Sequence, residues 1–89
     1  MLIPSYTKQF AKDLKRMQKR GKPIEKIKKI ITKLINEEPL APSYKEHKLI
    51  GNFKDRRECH IEPDWLLIYK IIENEIIFER TGTHADLFE

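Results

Sequence analysis

The sequence predicts an α+β domain: an N-terminal two-helix hairpin packed on a small twisted antiparallel β-sheet. Three observations lead there. Apolar residues recur at helical spacing through the first 35 positions, with lysines between them. From His47 onward the pattern changes to four short runs rich in strand-forming residues, separated by turn signals of hairpin length. At 89 residues, without repeats, low-complexity stretches or a linker, the chain is expected to form one small domain over residues 1–89 with a thin core.

Met1 to Ile3 is short and apolar and reads as an edge strand ending at Pro4. Ser5 or Thr7 can cap a helix running to about Arg20, with Phe10, Leu14 and Met17 on one face and lysines on the other. Gly21 stops it, and Pro23 suits the first turn of a second helix. In that helix Ile24, Ile27, Ile31 and Leu34 follow the helical repeat, Ile30 and Ile35 widen the stripe, and Lys26, Lys28, Lys29 and Lys33 make the polar face. From Asn36 the pattern breaks, and Pro39 and Pro42 mark a loop ending near Tyr44, Lys45 and Glu46. The strand-like runs are His47 to Gly51, Arg56 to Ile61, Trp65 to Ile71 and Glu75 to Thr81. Turns at Gly51-Asn52, Glu62-Pro63-Asp64 and Glu73-Asn74 join them into an antiparallel meander.

Charge is unevenly distributed. Residues 1–45 carry 12 Lys or Arg against 4 Asp or Glu, whereas residues 46–89 carry 6 against 10. A basic half beside an acidic half suits a polyanionic partner, nucleic acid above all, although a solvated lysine-rich helical face has the same composition. A single cysteine, Cys59, excludes an internal disulfide, and the opening residues lack the apolar run of a signal peptide or membrane span. A cytoplasmic protein with no membrane partner is expected.

Alternating strand direction brings His47, His60, Asp64, Arg80 and His84 to one edge of the sheet. If the first strand runs down from His47, the second climbs to His60, the turn at Asp64 is at the top, and the fourth strand climbs to Arg80. Gly82 then leaves His84 at the same end. His60 alternates with Arg56 and Glu58 on an exposed face, opposite Arg57, Cys59 and Ile61. Arg80 alternates with Phe78 and Ile76, both apolar, so a bulge or twist is needed to aim it at the cluster.

Three chemistries fit. In metal-free RNA cleavage, a base takes the 2′-OH proton, an acid protonates the departing 5′ oxygen and a cation steadies the phosphate. Histidines with Asp64 suit the first two roles and Arg80 the third. A zinc site built from His47, His60, Asp64 and His84 is the second possibility, but no spacing forms a tight ligand pair and Arg80 would oppose a cation. In the third, the histidines satisfy backbone groups and Asp64 is an ordinary turn residue. Trp65 either stacks on a base or joins the core, and Phe88 either packs back on the sheet or meets a ligand. Cys59, without an adjacent base, reads as a buried structural thiol and Tyr69 as core.

Three stretches carry a family resemblance: Tyr44-Lys45-Glu46-His47-Lys48-Leu49-Ile50-Gly51, His60-Ile61-Glu62-Pro63-Asp64-Trp65-Leu66-Leu67-Ile68-Tyr69-Lys70, and Phe78-Glu79-Arg80-Thr81-Gly82-Thr83-His84-Ala85-Asp86-Leu87-Phe88. In order and spacing they resemble the YafQ branch of the RelE/ParE toxin superfamily. The resemblance implies a RelE-like fold and the toxin of a bacterial toxin–antitoxin pair, a ribonuclease that cuts mRNA in the ribosomal A site. It implies His47, His60, Asp64, His84 and Phe88 in the cleft with Arg80 on the phosphate, and no metal or cofactor. Phe88, Trp65, Arg57 and Lys48 are the expected substrate contacts. The implied partners are a cognate antitoxin, ribosomal RNA and mRNA, and operator DNA through the antitoxin complex. A ParE-like inhibitor that binds DNA gyrase without cutting, and a nucleic-acid-binding module, are the alternatives.

Overall fold

In the computed structural model, which describes residues 1–51 and 55–88, the chain runs β1 (Ile3–Tyr6), α1 (Lys8–Lys19), α2 (Ile24–Ile35), a single 3-10 turn (Pro42–Tyr44), β2 (His47–Lys48), β3 (Arg57–Glu62), β4 (Trp65–Ile72), β5 (Glu75–Gly82) and α3 (His84–Phe88). The expected turn at Gly51-Asn52 lies partly outside the described residues.

Thr7 caps α1: its hydroxyl oxygen accepts from the Phe10 main-chain N–H at 2.9 Å, and its hydroxyl donates to the Glu79 carbonyl at 2.9 Å. Gly21 ends that helix with φ +84°, a left-handed conformation that costs glycine nothing. Phe10 and Met17 of α1, with Ile27, Ile30 and Leu34 of α2, form the buried stripe that the spacing predicts. Lys8, Lys12, Lys15, Lys19, Lys26, Lys28, Lys29 and Lys33 remain exposed on the outer faces.

The sheet has five strands in the order β1-β5-β4-β3-β2. Strands β2 to β5 form the expected antiparallel meander. The first strand departs from expectation: it extends through Pro4 to Tyr6 and pairs in parallel with β5, Ile3 opposite Glu75 and Tyr6 opposite Phe78. Pro4 is tolerated because an edge strand leaves half its N–H groups unpaired. The predicted strand His47 to Gly51 contracts to His47–Lys48, and the residues beyond Gly82 form the helix α3.

One sheet face packs under the helices. Cys59, Ile61, Trp65, Leu67, Tyr69, Ile76 and Phe78 meet the buried residues of α1 and α2 there. The opposite face carries only a small apolar floor of Leu66, Ile68 and Leu87, with Leu49 against it. Among the described residues, no helix is long and apolar enough to cross a membrane.

Cys59 is fully buried on the helix side, and burial pushes its thiol up to about 12. In the native protein at pH 8 it should therefore resist iodoacetamide for as long as the fold persists and label fully in denaturant. Rapid labelling of the folded chain, followed by mass spectrometry, would contradict this packing.

Candidate active site

The open face is assembled by strand register. His47 is opposite Glu58, Glu58 opposite Ile68, and Ile68 opposite Arg80, so these four form one cross-strand row. A second row runs His60, Leu66, Gly82. Arg80 reaches this face because β5 carries one unmatched residue: Tyr69 pairs with Phe78 but Ile68 pairs with Arg80, leaving Glu79 as a bulge. Beyond Glu79 the alternation reverses, which supplies the device that the sequence required for Arg80.

The C-terminal helix forms for a local reason. Thr83 Oγ1 accepts from the Asp86 main-chain N–H at 3.1 Å, while Asp86 Oδ2 accepts from the Thr83 main-chain N–H at 3.0 Å. That reciprocal pair is a capping box with aspartate in the acidic position. Arg20 of α1 grips the same carboxylate, Nη1 to Oδ2 at 2.6 Å and Nη2 to Oδ1 at 3.1 Å. The Arg20 hydrogen bond, followed by those from Thr83, holds the Asp86 carboxyl well below the usual carboxylate range despite partial burial. Gly82 suits the close approach here, since a Cβ on it would meet the Asp86 side chain at 3.0 Å.

Helix α3 presents His84 to Asp64. Asp64 Oδ1 accepts from the His84 main-chain N–H at 2.9 Å and from Nδ1 of its ring at 2.6 Å. Those two hydrogen bonds, the main-chain one first, lower the Asp64 carboxyl below its ordinary value. With Nδ1 committed, Nε2 is the ring nitrogen left for chemistry. The ring centroid of His60 lies 5.8 Å from that of His84, His47 lies 6.3 Å beyond His60, and Phe88 lies 6.3 Å on the far side of His84. Four rings thus line one strip of the open face.

Beneath the strip lies Glu58, a residue that strand parity placed beside His60 on an exposed face. The structure corrects the exposure: Glu58 is 5% exposed. Its Oε2 stands 3.0 Å from His47 Nε2 and 3.8 Å from His60 Nε2, and its Oε1 is buried without a partner among the described residues. The other nitrogen of His47, Nδ1, donates to the Lys45 carbonyl at 2.7 Å. Both ring nitrogens of His47 therefore face acceptor oxygens. Parity could find Glu58, but its depth depends on the residues packed around it.

The structure gathers His47, His60, Asp64, Arg80, His84 and Phe88 on or beside this face and separates three others from it. Trp65 is fully buried on the helix side, its indole N–H donating to Thr81 Oγ1 at 2.9 Å, so it has no surface to stack on a base. Arg57 is opposite Tyr69, on the helix side, with Nε 3.6 Å from Glu46 Oε2. Lys48 pairs with Arg57 and shares that side of edge strand β2. Period-two alternation explains both displacements, because each is one residue from a residue on the open face. Asp13 of α1 went unnoticed in sequence; it is fully buried and accepts from Arg80 Nε at 2.7 Å.

Among the described residues, no three of His, Cys, Asp or Glu converge as a metal-ligand set. The arrangement instead offers proton donors and acceptors in ring contact, with a guanidinium at one end of the row. A family model described as the bacterial toxin of type II toxin–antitoxin systems, YafQ, matches residues 2–89. The chain belongs to the YafQ family. That family lies within the RelE/ParE superfamily. The mRNA interferase toxin YafQ of Escherichia coli K12 is 51% identical over 84 residues, covering 93% of this chain and 91% of its own. The crystal structure of YafQ from E. coli BL21(DE3) superposes with a TM-score of 0.95 at 47% identity, over 100% of both chains. A chain of the E. coli DinJ–YafQ complex superposes at 0.93 with 48% identity, again over 100% of both.

Two outcomes follow. Because its folded-state carboxyl is depressed, Asp86 contributes stability above the ordinary aspartate value of about 3.9, and that contribution is lost as pH falls through the lower folded value. Thermal unfolding followed from pH 6 down to pH 2 should fall more steeply for the parent than for Asp86→Asn; equal slopes would refute the anchor. Trp65→Phe, which removes the donor to the buried Thr81 hydroxyl oxygen, should lower stability by about 1–3 kcal/mol in urea titrations; an unchanged midpoint would contradict the bond.

Proposed function

We propose that this chain is the toxin of a type II toxin–antitoxin pair and an endoribonuclease that cuts mRNA on the ribosome by metal-free acid–base chemistry. The observation that carries the reading is the His84–Asp64 pair, its ring in contact with His60, which in turn stands beside His47 over Glu58. Family membership supports it, as does the name mRNA interferase borne by the E. coli relative.

In the reaction the ribose 2′ oxygen attacks the adjacent phosphorus as its proton leaves to a base, and the bond to the 5′ oxygen breaks as an acid protonates it. The products are a 2′,3′-cyclic phosphate and a free 5′-OH. His84 suits the acid: Asp64 stabilises its imidazolium through Nδ1, leaving the Nε2 proton to be given up. His60 suits the base, with His47 beside it orienting the ribose and Glu58 steadying both rings. Arg80 meets the charge that builds on the non-bridging oxygens. Phe88, 43% exposed beside His84, offers a face on which a base can stack.

The exposed lysines of α1 and α2 then have a polyanion to meet in ribosomal RNA. An antitoxin is the regulatory partner in this reading, which the solved E. coli DinJ–YafQ toxin–antitoxin complex supports; operator DNA bound through the antitoxin belongs to the same proposal.

Primer extension on mRNA in a translating extract tests the reading. The parent should give discrete cuts, and His84→Ala and His60→Ala should each lower cleavage by about 100- to 10,000-fold with ribosome binding intact. A folded parent that gives no cuts would sink the proposal and favour gyrase binding.

A further inference from the structure

Asp13 lies on α1, remote in sequence from every residue of the site, yet its side chain is completely buried. A buried carboxylate persists only where hydrogen bonds replace its lost water. Here Oδ2 accepts from Arg80 Nε at 2.7 Å and from the Thr81 main-chain N–H at 3.2 Å. Oδ1 accepts from Gln9 Nε2 at 3.0 Å, from Arg16 Nη2 at 3.1 Å and, at 3.4 Å, from Arg80 Nη2. A carboxylate offers about four lone-pair sites, so this one is saturated.

The contact with Thr81 is enough to tether the helix to the sheet. The two contacts with Arg80 do something further. They take up the Nε–Nη2 edge of the guanidinium, which leaves its second bidentate edge, Nη1 with the outer hydrogen of Nη2, uncommitted among the described residues. A planar group held along one edge has its other edge fixed in direction. Arg80 stems from the open-face row that also holds His47 and Glu58, and its side chain is 27% exposed.

We infer that Asp13 is a positioning residue for cleavage: from behind the sheet edge it orients Arg80 so that the free guanidinium edge meets the scissile phosphate. The inference rests on the proposed role of Arg80 and goes beyond it, since it assigns a residue of the first helix to the reaction.

A double-mutant cycle on cleavage tests it, with rates measured at saturating ribosome–mRNA complex. Asp13→Asn should lower the rate by about 10- to 100-fold, the scale expected of a misoriented group, without moving the ribosome concentration for half-maximal rate. In an Arg80→Ala background the same change should alter the rate by less than about 3-fold, because the group Asp13 orients is gone. Leu14→Ala, which loosens the same helix without touching Asp13, should lower the melting temperature and leave the rate of the folded protein unchanged. Losses that multiply in the double variant would overturn the inference. Arg80→Lys covers the case in which Asp13→Asn fails to fold. A lysine cannot lie along Asp13 with one edge and meet phosphate with another, so it should be as deficient as Arg80→Ala, and near-parental activity would refute oriented binding. Absence of cleavage by the parent would instead refute the ribonuclease reading.

Discussion

Glu79 is the residue that β5 contains and β4 does not match, and the site depends on it. A strand alternates with period two, so one unmatched residue reverses every side chain beyond it. Without the bulge, Arg80 would point under the helices with Phe78 and Ile76, and Thr81 would lie on the open face. With it, Arg80 joins the row of His47 and Glu58, while Thr81 turns inward to accept from Trp65 and donate to the Leu66 carbonyl. The first helix secures the bulge from outside: Thr7 donates to the Glu79 carbonyl, and Asp13 receives the next two residues. A helix cap and the geometry of the candidate site thus share one backbone irregularity.

A second regularity runs through the site. The groups that would bear positive charge face carboxylates: Asp64 for His84, Glu58 shared by His47 and His60, Asp13 for Arg80, and Asp86 for Arg20. Acid–base catalysis needs proton carriers that keep their orientation as charge changes, and a fixed carboxylate on one ring nitrogen supplies that. The four differ in setting. Asp13 on α1 and Glu58 on β3 are buried and Asp86 is largely so, whereas Asp64 is exposed. The buried pair stiffens the floor, and Asp64 and Asp86 hold α3 onto it.

Much of the fold was legible because burial imposes periods. Phe10, Met17, Ile27 and Leu34 announced two amphipathic helices, and four β-rich runs announced a meander. Strand direction alone then placed His47, His60, Asp64, Arg80 and His84 at one end, since a meander must reverse at each turn. The parallel partnership of β1 with β5 was not legible: it joins Ile3 to Glu75 across the whole chain, and an apolar tripeptide carries no address for its partner. Helix α3 left a local trace in Thr83 and Asp86, a capping-box spacing short enough to pass for a turn.

The sequence by itself determined the element types, the alternation that put His60 and Cys59 on opposite faces, and the end of the sheet at which the polar residues gather. Those properties follow from local period and chain reversal, which neighbouring residues specify. Only the tertiary structure decided that Trp65 is buried under the helices, that Glu58 is buried between two histidines, and that Asp13 reaches Arg80. Depth and long-range pairing arise when separate elements exclude water from the same space, and no single segment contains that information.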